Sequence, residues 1–264
     1  MRRRLIARWQ GILLALIGIV ATVWLAATDR LGLYIHPRYF WFTVIMAAIG
    51  AVLVVAAFAV APLPEPRDEE HEHDEHAHDE HVHAEAPTST RAGGIRAVLT
   101  VTIVVGAAIA LLVLPPATLT SATATQRSVN SSGATVDQDV PALVGGDTSQ
   151  FTVKDWALLL RQSPDASTFA DKTVDVTGFV TASPDDPENV FYVARFVVTC
   201  CAVDAQPVGV PVYLPDWAER FSPDEWVTAS GPILPNPGSS SAESLLLTPD
   251  EISVTDQPDQ PYVY

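Results

Sequence analysis

The chain of 264 residues is 48% hydrophobic but only 17% charged, too apolar for an ordinary soluble domain, where about a quarter of residues are charged. Its 31 acidic against 15 basic residues give a net charge of −16, which leaves no basic footprint for phosphates and argues against nucleic acid as a partner. Two cysteines, adjacent at Cys200 and Cys201, exclude the disulfide framework of small secreted folds.

Residues 9–27 form the first charge-free run and residues 40–61 the second, each long enough for a hydrocarbon core that takes about 20 apolar residues. Residues 97–114 form a third, shorter run, flanked by Arg91 and Arg96 on one side and by Pro115 and Pro116 on the other. The pattern predicts three transmembrane α-helices. Tyr39, Phe40, Trp41 and Phe42 supply an interfacial aromatic belt at the start of the second. Arg2, Arg3, Arg4, Arg8, Arg67, Arg91 and Arg96 lie on one side of these runs, against Arg30, Arg38 and Arg127 on the other. The positive-inside rule then places the amino terminus and the 62–96 loop in the cytoplasm and residues 115–264 outside. The expectation is a multi-pass protein of the cell membrane, in contact with lipid.

The 62–96 loop contains the repeat HEHDE, HAHDE, HVHAE. It gathers six of the seven histidines, His71, His73, His76, His78, His81 and His83, among interleaved carboxylates. Imidazole suits Zn²⁺ and other divalent transition metals, and carboxylates can complete such a site, so the loop is expected to bind metal. An acidic linker is the bland alternative. No fixed geometry is evident, which suits capture or sensing better than catalysis.

Residues 115–150 are rich in Ser, Thr, Ala and Gly, lack apolar periodicity, and predict a flexible linker. Folded character returns at 151–264. Thr152 is placed to cap a helix running through Arg161. Residues 173–180 alternate as a half-buried strand, 190–200 and 208–214 are β-rich runs, and 215–221 fits a short helix stacking Trp217 over Phe221. EWVTASGPI and SLLLTPDEISVT complete the strand candidates. Three strands, a short helix and two strands, with a helix in front, is the order of an all-β, OB-like barrel. Another small β domain is the alternative.

Within that domain Cys200 and Cys201 admit three readings: core packing, a vicinal disulfide, or thiolate ligation of a metal assisted by Asp204. His36 and Arg38, in YIHPRYF between the first two runs, are either an interfacial anchor or a partner contact. Neither a nucleophile–base pair nor an acid–base constellation is evident, so no enzyme is expected.

FVVTCCAVDAQPVGVPV, the GFV strand before it, YIHPR and the histidine-rich loop resemble, in this order-preserving set, the YcgQ-like family of bacterial membrane proteins. The CCxxDAxPxG run is the most specific part. The resemblance implies a subunit of a two-component permease, a larger multispan permease subunit as partner, and a link to metal homeostasis. The spans carry no ionisable residue to mark an ion route of their own. The expected function is therefore an accessory subunit of a membrane permease complex handling a divalent metal such as zinc. The alternative is a membrane-anchored extracellular binding or thiol-redox module.

Overall fold

Three long helices come first: α1 (Arg2–Ala27), α2 (Phe40–Ala59) and α3 (Thr90–Leu112). The computed structural model describes residues 2–59, 90–114, 117–131, 148–163 and 165–264. The six loop histidines, His71 to His83, and residues 132–147 of the expected linker lie outside these. Of the described helices, one is long and apolar enough to cross a membrane: Pro37–Ala57, with a mean hydropathy of 2.5 and nothing in its apolar window buried. The three-span expectation is therefore matched at one helix only. Among the described residues, the apolar stretches of the other two, Gly11–Ala27 and Val98–Leu112, are shorter. Hydroxyls within these apolar stretches fold back onto their own helix. Thr22 donates to the Gly18 carbonyl and Thr102 to that of Val98, both at 2.9 Å, so neither presents an unpaired polar group.

Two units emerge: Met1–Asp29 with Trp41–Pro115, and Arg30–Phe40 with Pro116–Tyr264. The first holds the helices above. The second is built on a β barrel.

Within that unit Thr152 starts a helix, as expected. Its hydroxyl caps helix α5 (Val153–Gln162) at the Asp155 N–H, and the Asp155 carboxylate accepts the Thr152 N–H at 2.7 Å. Val153, Trp156, Ala157 and Leu159 of α5 join the barrel's interior cluster. The strands are β1 (Thr173–Ala182), β2 (Val190–Val197), β3 (Gln206–Tyr213), β4 (Trp226–Pro235) and β5 (Leu245–Leu247). They pair in the order β1-β2-β3-β5-β4, and β4 pairs back onto β1, closing a five-stranded barrel. Only β3 and β5 run parallel within it. The short helix is a 3-10 turn at Trp217–Glu219. Trp217 and Phe221 do not stack on each other as expected but flank Phe191, with ring centroids 5.2 and 6.3 Å away.

β1 pairs with β4 as far as Phe179 and with β2 from Phe179 onward. It turns this corner at Gly178, where a Cβ would collide with the Ala194 carbonyl. The run SLLLTPDEISVT is not one strand. It breaks into β5 and β6 (Glu251–Val254), both along β4, with Thr248, Pro249 and Asp250 opposing Gly231 and Pro232. Pro249 has no N–H to give the ladder, so it forms the bulge. The flanking bonds persist, from Thr248 N–H to Pro232 O at 3.0 Å and from Asp250 N–H to Ser230 O at 2.9 Å.

β2 is buried on both faces. Phe191, Val193 and Val197 enter the barrel interior, while Tyr192, Ala194 and Phe196 enter a second cluster. That is why its sequence is an almost unbroken apolar run rather than an alternation. A strand unseen in the sequence, β7 (Tyr262–Val263), pairs in parallel with the end of β2.

Ala124, Leu119, Val129, Leu33 and Tyr264 complete the second cluster. The flexible linker expected over 115–150 thus gives way, at 117–131, to an ordered strap with helix α4 (Ser121–Arg127) at its centre. The reason lies in β3, which meets β5 only at Val212 and leaves polar backbone at Gly209 to be satisfied. Asn130 supplies both partners: its Nδ2 donates to the Gly209 carbonyl at 2.8 Å and its Oδ1 accepts the Gly209 N–H at 2.9 Å.

Candidate metal centre

The turn from β2 to β3 is TCCAVDA, and Asp204 organises it. Its carboxylate accepts the backbone N–H groups of Thr199 at 3.2 Å, Cys200 at 2.8 Å and Cys201 at 3.3 Å. Its own N–H donates to the Cys201 carbonyl at 3.0 Å. Three N–H groups on one carboxylate draw both cysteines inward around it. The two Sγ atoms and a carboxylate oxygen of Asp204 all lie within 4.8 Å of one another. Cys200 is exposed and Cys201 half-buried, and both are free thiols. Core packing therefore does not describe Cys200. The geometry leaves ligation, or oxidation to a vicinal disulfide, as the chemistry open to the pair.

Desolvation, the adjacent Cys201 thiol and the Asp204 carboxylate push the Cys200 thiol up from its ordinary pKa, and Arg38 pulls it partly back. The Cys200 thiol therefore rests protonated at neutral pH. A metal ion binding here displaces protons, and a soft or borderline cation is the class that thiolates select.

The residues around 36 sit on this turn. Ile35 forms an isolated antiparallel bridge with Cys201. The His36 N–H donates to the Cys200 carbonyl at 3.0 Å, and the Ala202 N–H to the Tyr34 carbonyl at 2.8 Å. Nearby, Leu31 is buried, and Gly32 offers its carbonyl to the Tyr264 hydroxyl at 2.9 Å. The His36 ring packs edge-on against Tyr264, with centroids 5.0 Å apart. Lys154 Nζ donates to the Tyr264 carbonyl at 2.9 Å. Burial, Arg38 and Lys154 hold the His36 pKa below its ordinary value against the opposing pull of Asp204, so the imidazole is neutral at pH 7.

Of the residues singled out in the sequence, the fold brings together Cys200, Cys201 and Asp204, and sets His36 and Arg38 beside them. His36 and Arg38 are thus bound into the protein's own barrel unit. Tyr34, Lys154 and Tyr264 were not legible as neighbours of the site, since nothing local marks contacts between such distant positions.

The DUF1980 N-terminal domain matches residues 10–130, and the DUF1980 C-terminal domain matches residues 137–264. The chain belongs to the DUF1980 family. No curated protein and no solved structure matches it. The two DUF1980 regions do not coincide with the two structural units. Residues 30–40 and 117–130 fall in the N-terminal DUF1980 match yet pack with the barrel, whose strands fall in the C-terminal one.

Proposed function

We propose that this DUF1980 chain is a membrane-anchored accessory subunit of a two-component permease complex that handles a divalent transition metal, with Zn²⁺ the first choice. The observation that carries the reading is the exposed turn on which two thiols and a carboxylate converge within 4.8 Å. Two further features support it. The helix at Pro37–Ala57 is apolar enough to anchor the chain in lipid, and α1 and α3 would join it as shorter spans. No ionisable residue interrupts the three apolar runs, so transport would need a larger multispan partner to supply the polar route. The barrel's strand order, with β3 and β5 as its parallel pair, supports the OB-like assignment. Its acidity argues against the nucleic-acid ligands that many such barrels bind.

The arginine distribution orients the chain with its amino terminus and histidine loop in the cytoplasm and its barrel outside. Metal would then be met on both sides: by His71, His73, His76, His78, His81 and His83 within, and by Cys200, Cys201 and Asp204 without. A second reading is a thiol-redox module, favoured by the same pair of accessible, adjacent free thiols. A thiolate-nucleophile enzyme is not favoured, because the Cys200 thiol is raised rather than activated.

Purification of the tagged full-length chain in mild detergent tests the reading. A multispan protein should co-purify, and bound zinc should fall on removing residues 71–83 and again on changing Cys200→Ser and Cys201→Ser together. Recovery of a metal-free chain without a partner, across several detergents, would overturn it. Thiol trapping on intact cells separates the second reading, which requires a pool of oxidised pair that appears and disappears with the redox state of the medium.

A further inference from the structure

The ladder between residues 34–36 and 200–202 sets two chemically matched side chains against each other. With Ile35 opposite Cys201, and His36 N–H bonded to the Cys200 carbonyl, His36 and Cys200 face one another across the strands. Residues so opposed have Cβ atoms about 4.5–5.5 Å apart. We infer that His36 is the third protein ligand of the Cys200–Cys201 centre, which would hold a zinc-class ion by two thiolates and one imidazole drawn from two distant chain segments. This deepens, and rests on, the proposal that the thiol pair binds metal.

Asp204 is the less suited third donor. Its two oxygens already accept three backbone N–H groups, and turning it toward an ion would loosen the turn that brings the thiols together. His36 is only lightly committed by comparison. Its Nδ1 accepts the Arg38 N–H at 3.1 Å, capping the 3-10 turn at Pro37–Tyr39 that leads into α2. A neutral ring accepting at Nδ1 carries its proton on Nε2. That nitrogen lies 3.2 Å from the Arg38 guanidinium, itself only a donor, so the second contact sets donor against donor. Rotating the ring toward the thiols gives up the capping bond and a longer one from Arg38 Nε at 3.4 Å, and removes this conflict. The Cys200 and Cys201 S–H protons pass to solvent as the ion binds. Three protein ligands leave a fourth tetrahedral position open, as suits a site that passes its ion on rather than burying it. The turn entering the membrane-competent helix would then be capped by His36 in the empty state and released from that cap in the loaded one.

Zinc itself is the probe, added to the full-length chain in detergent. A parallel sample lacking residues 71–83 keeps the loop histidines from contributing imidazole. X-ray absorption at the zinc edge should show two sulfurs and the scattering signature of an imidazole. His36→Asn preserves the cap, since its side-chain oxygen can accept the Arg38 N–H. It should nevertheless lower zinc affinity at least about tenfold, a loss that even outer-shell changes produce. The imidazole signature should vanish with it. His36→Cys should restore tight binding with three sulfurs. If His36→Asn binds zinc as tightly as the parent with an unchanged spectrum, His36 is not a ligand while the thiol centre stands. If Cys200→Ser with Cys201→Ser leaves zinc binding and its spectrum unchanged, the thiol centre fails and this inference with it.

Discussion

Asp186, in the connection from β1 to β2, is a buried carboxylate with every reason to be ionised. Burial pushes its pKa up, but hydrogen bonds from Asn189 and Ser240 outweigh that and hold it below the ordinary value. Its Oδ1 accepts the Asn189 side-chain amide at 2.8 Å, and its Oδ2 accepts the Ser240 N–H at 3.0 Å, tying two loops together. A group whose pKa is depressed in the folded state adds stability above its unfolded value, about 3.9 for Asp, and loses it as pH falls through the folded value. Asp186→Asn should therefore lower the melting temperature at pH 6–7. The gap to the parent protein should close below about pH 4. Thermal unfolding across that range checks this; a gap that is constant with pH would mean the charge plays no part.

At the scale of elements, most of the barrel's irregularity traces to residues that lack a group: the Cβ of glycine, the N–H of proline. Gly231 sits opposite the Pro249 bulge, and a Cβ there would run into the Thr248 carbonyl and the Asp250 N–H. Both of those atoms belong to backbone held by ladder bonds, so they cannot step aside as a flexible side chain would. Gly231→Ala should then cost at least about 1–3 kcal/mol, the range for overpacking a closed core. Its effect should appear as a lower melting temperature with any zinc binding at the proposed thiol site unchanged, because the bulge is remote from the β2–β3 turn in the ladder. The strap at 117–131 is the opposite case. It adds groups the barrel lacks: Asn130, in the left-handed backbone region at φ 58°, completes Gly209, and Ala124 and Val129 cover β2's outer face. Asn is among the few residues other than glycine that visit that region routinely. One residue thus meets a backbone and a hydrogen-bonding demand together.

Over the whole molecule, orientation in the membrane is the property from which the rest of the proposal hangs. Seven arginines against three predict that a reporter active only in the cytoplasm works when fused after Glu85 and is silent after Tyr264. The reverse pattern would put the thiol turn in the cytoplasm and the histidine loop outside, and would overturn the assigned division between them. Because residues 30–40 belong to the barrel unit, the thiol turn and the stretch entering α2 form one structural neighbourhood. If the turn binds metal as proposed, the ion would sit beside the residues that lead into α2.

Local periodicity and local capping made much of this legible from the amino acids alone. The apolar runs became helices, Thr152 with Asp155 announced α5, and period-two alternation located β1. The spacing of Cys200, Cys201 and Asp204 already proposed a ligand cluster, because all three lie within a single turn and need no distant partner to meet. The fold decided what depends on closure. Whether β4 returns to β1, where Pro249 must bulge, and that Tyr262 adds a strand to β2 are set by which edges remain unpaired once the barrel forms. Low apolar periodicity in 117–131 signalled a linker, yet unpaired backbone at Gly209 and an uncovered β2 face drew it down as a strap. His36 carried no local sign of its neighbour, since more than half the chain separates it from Cys200. Backbone hydrogen bonds between two short, irregular segments bring the pair together, and such bonds leave almost no trace in side-chain identity.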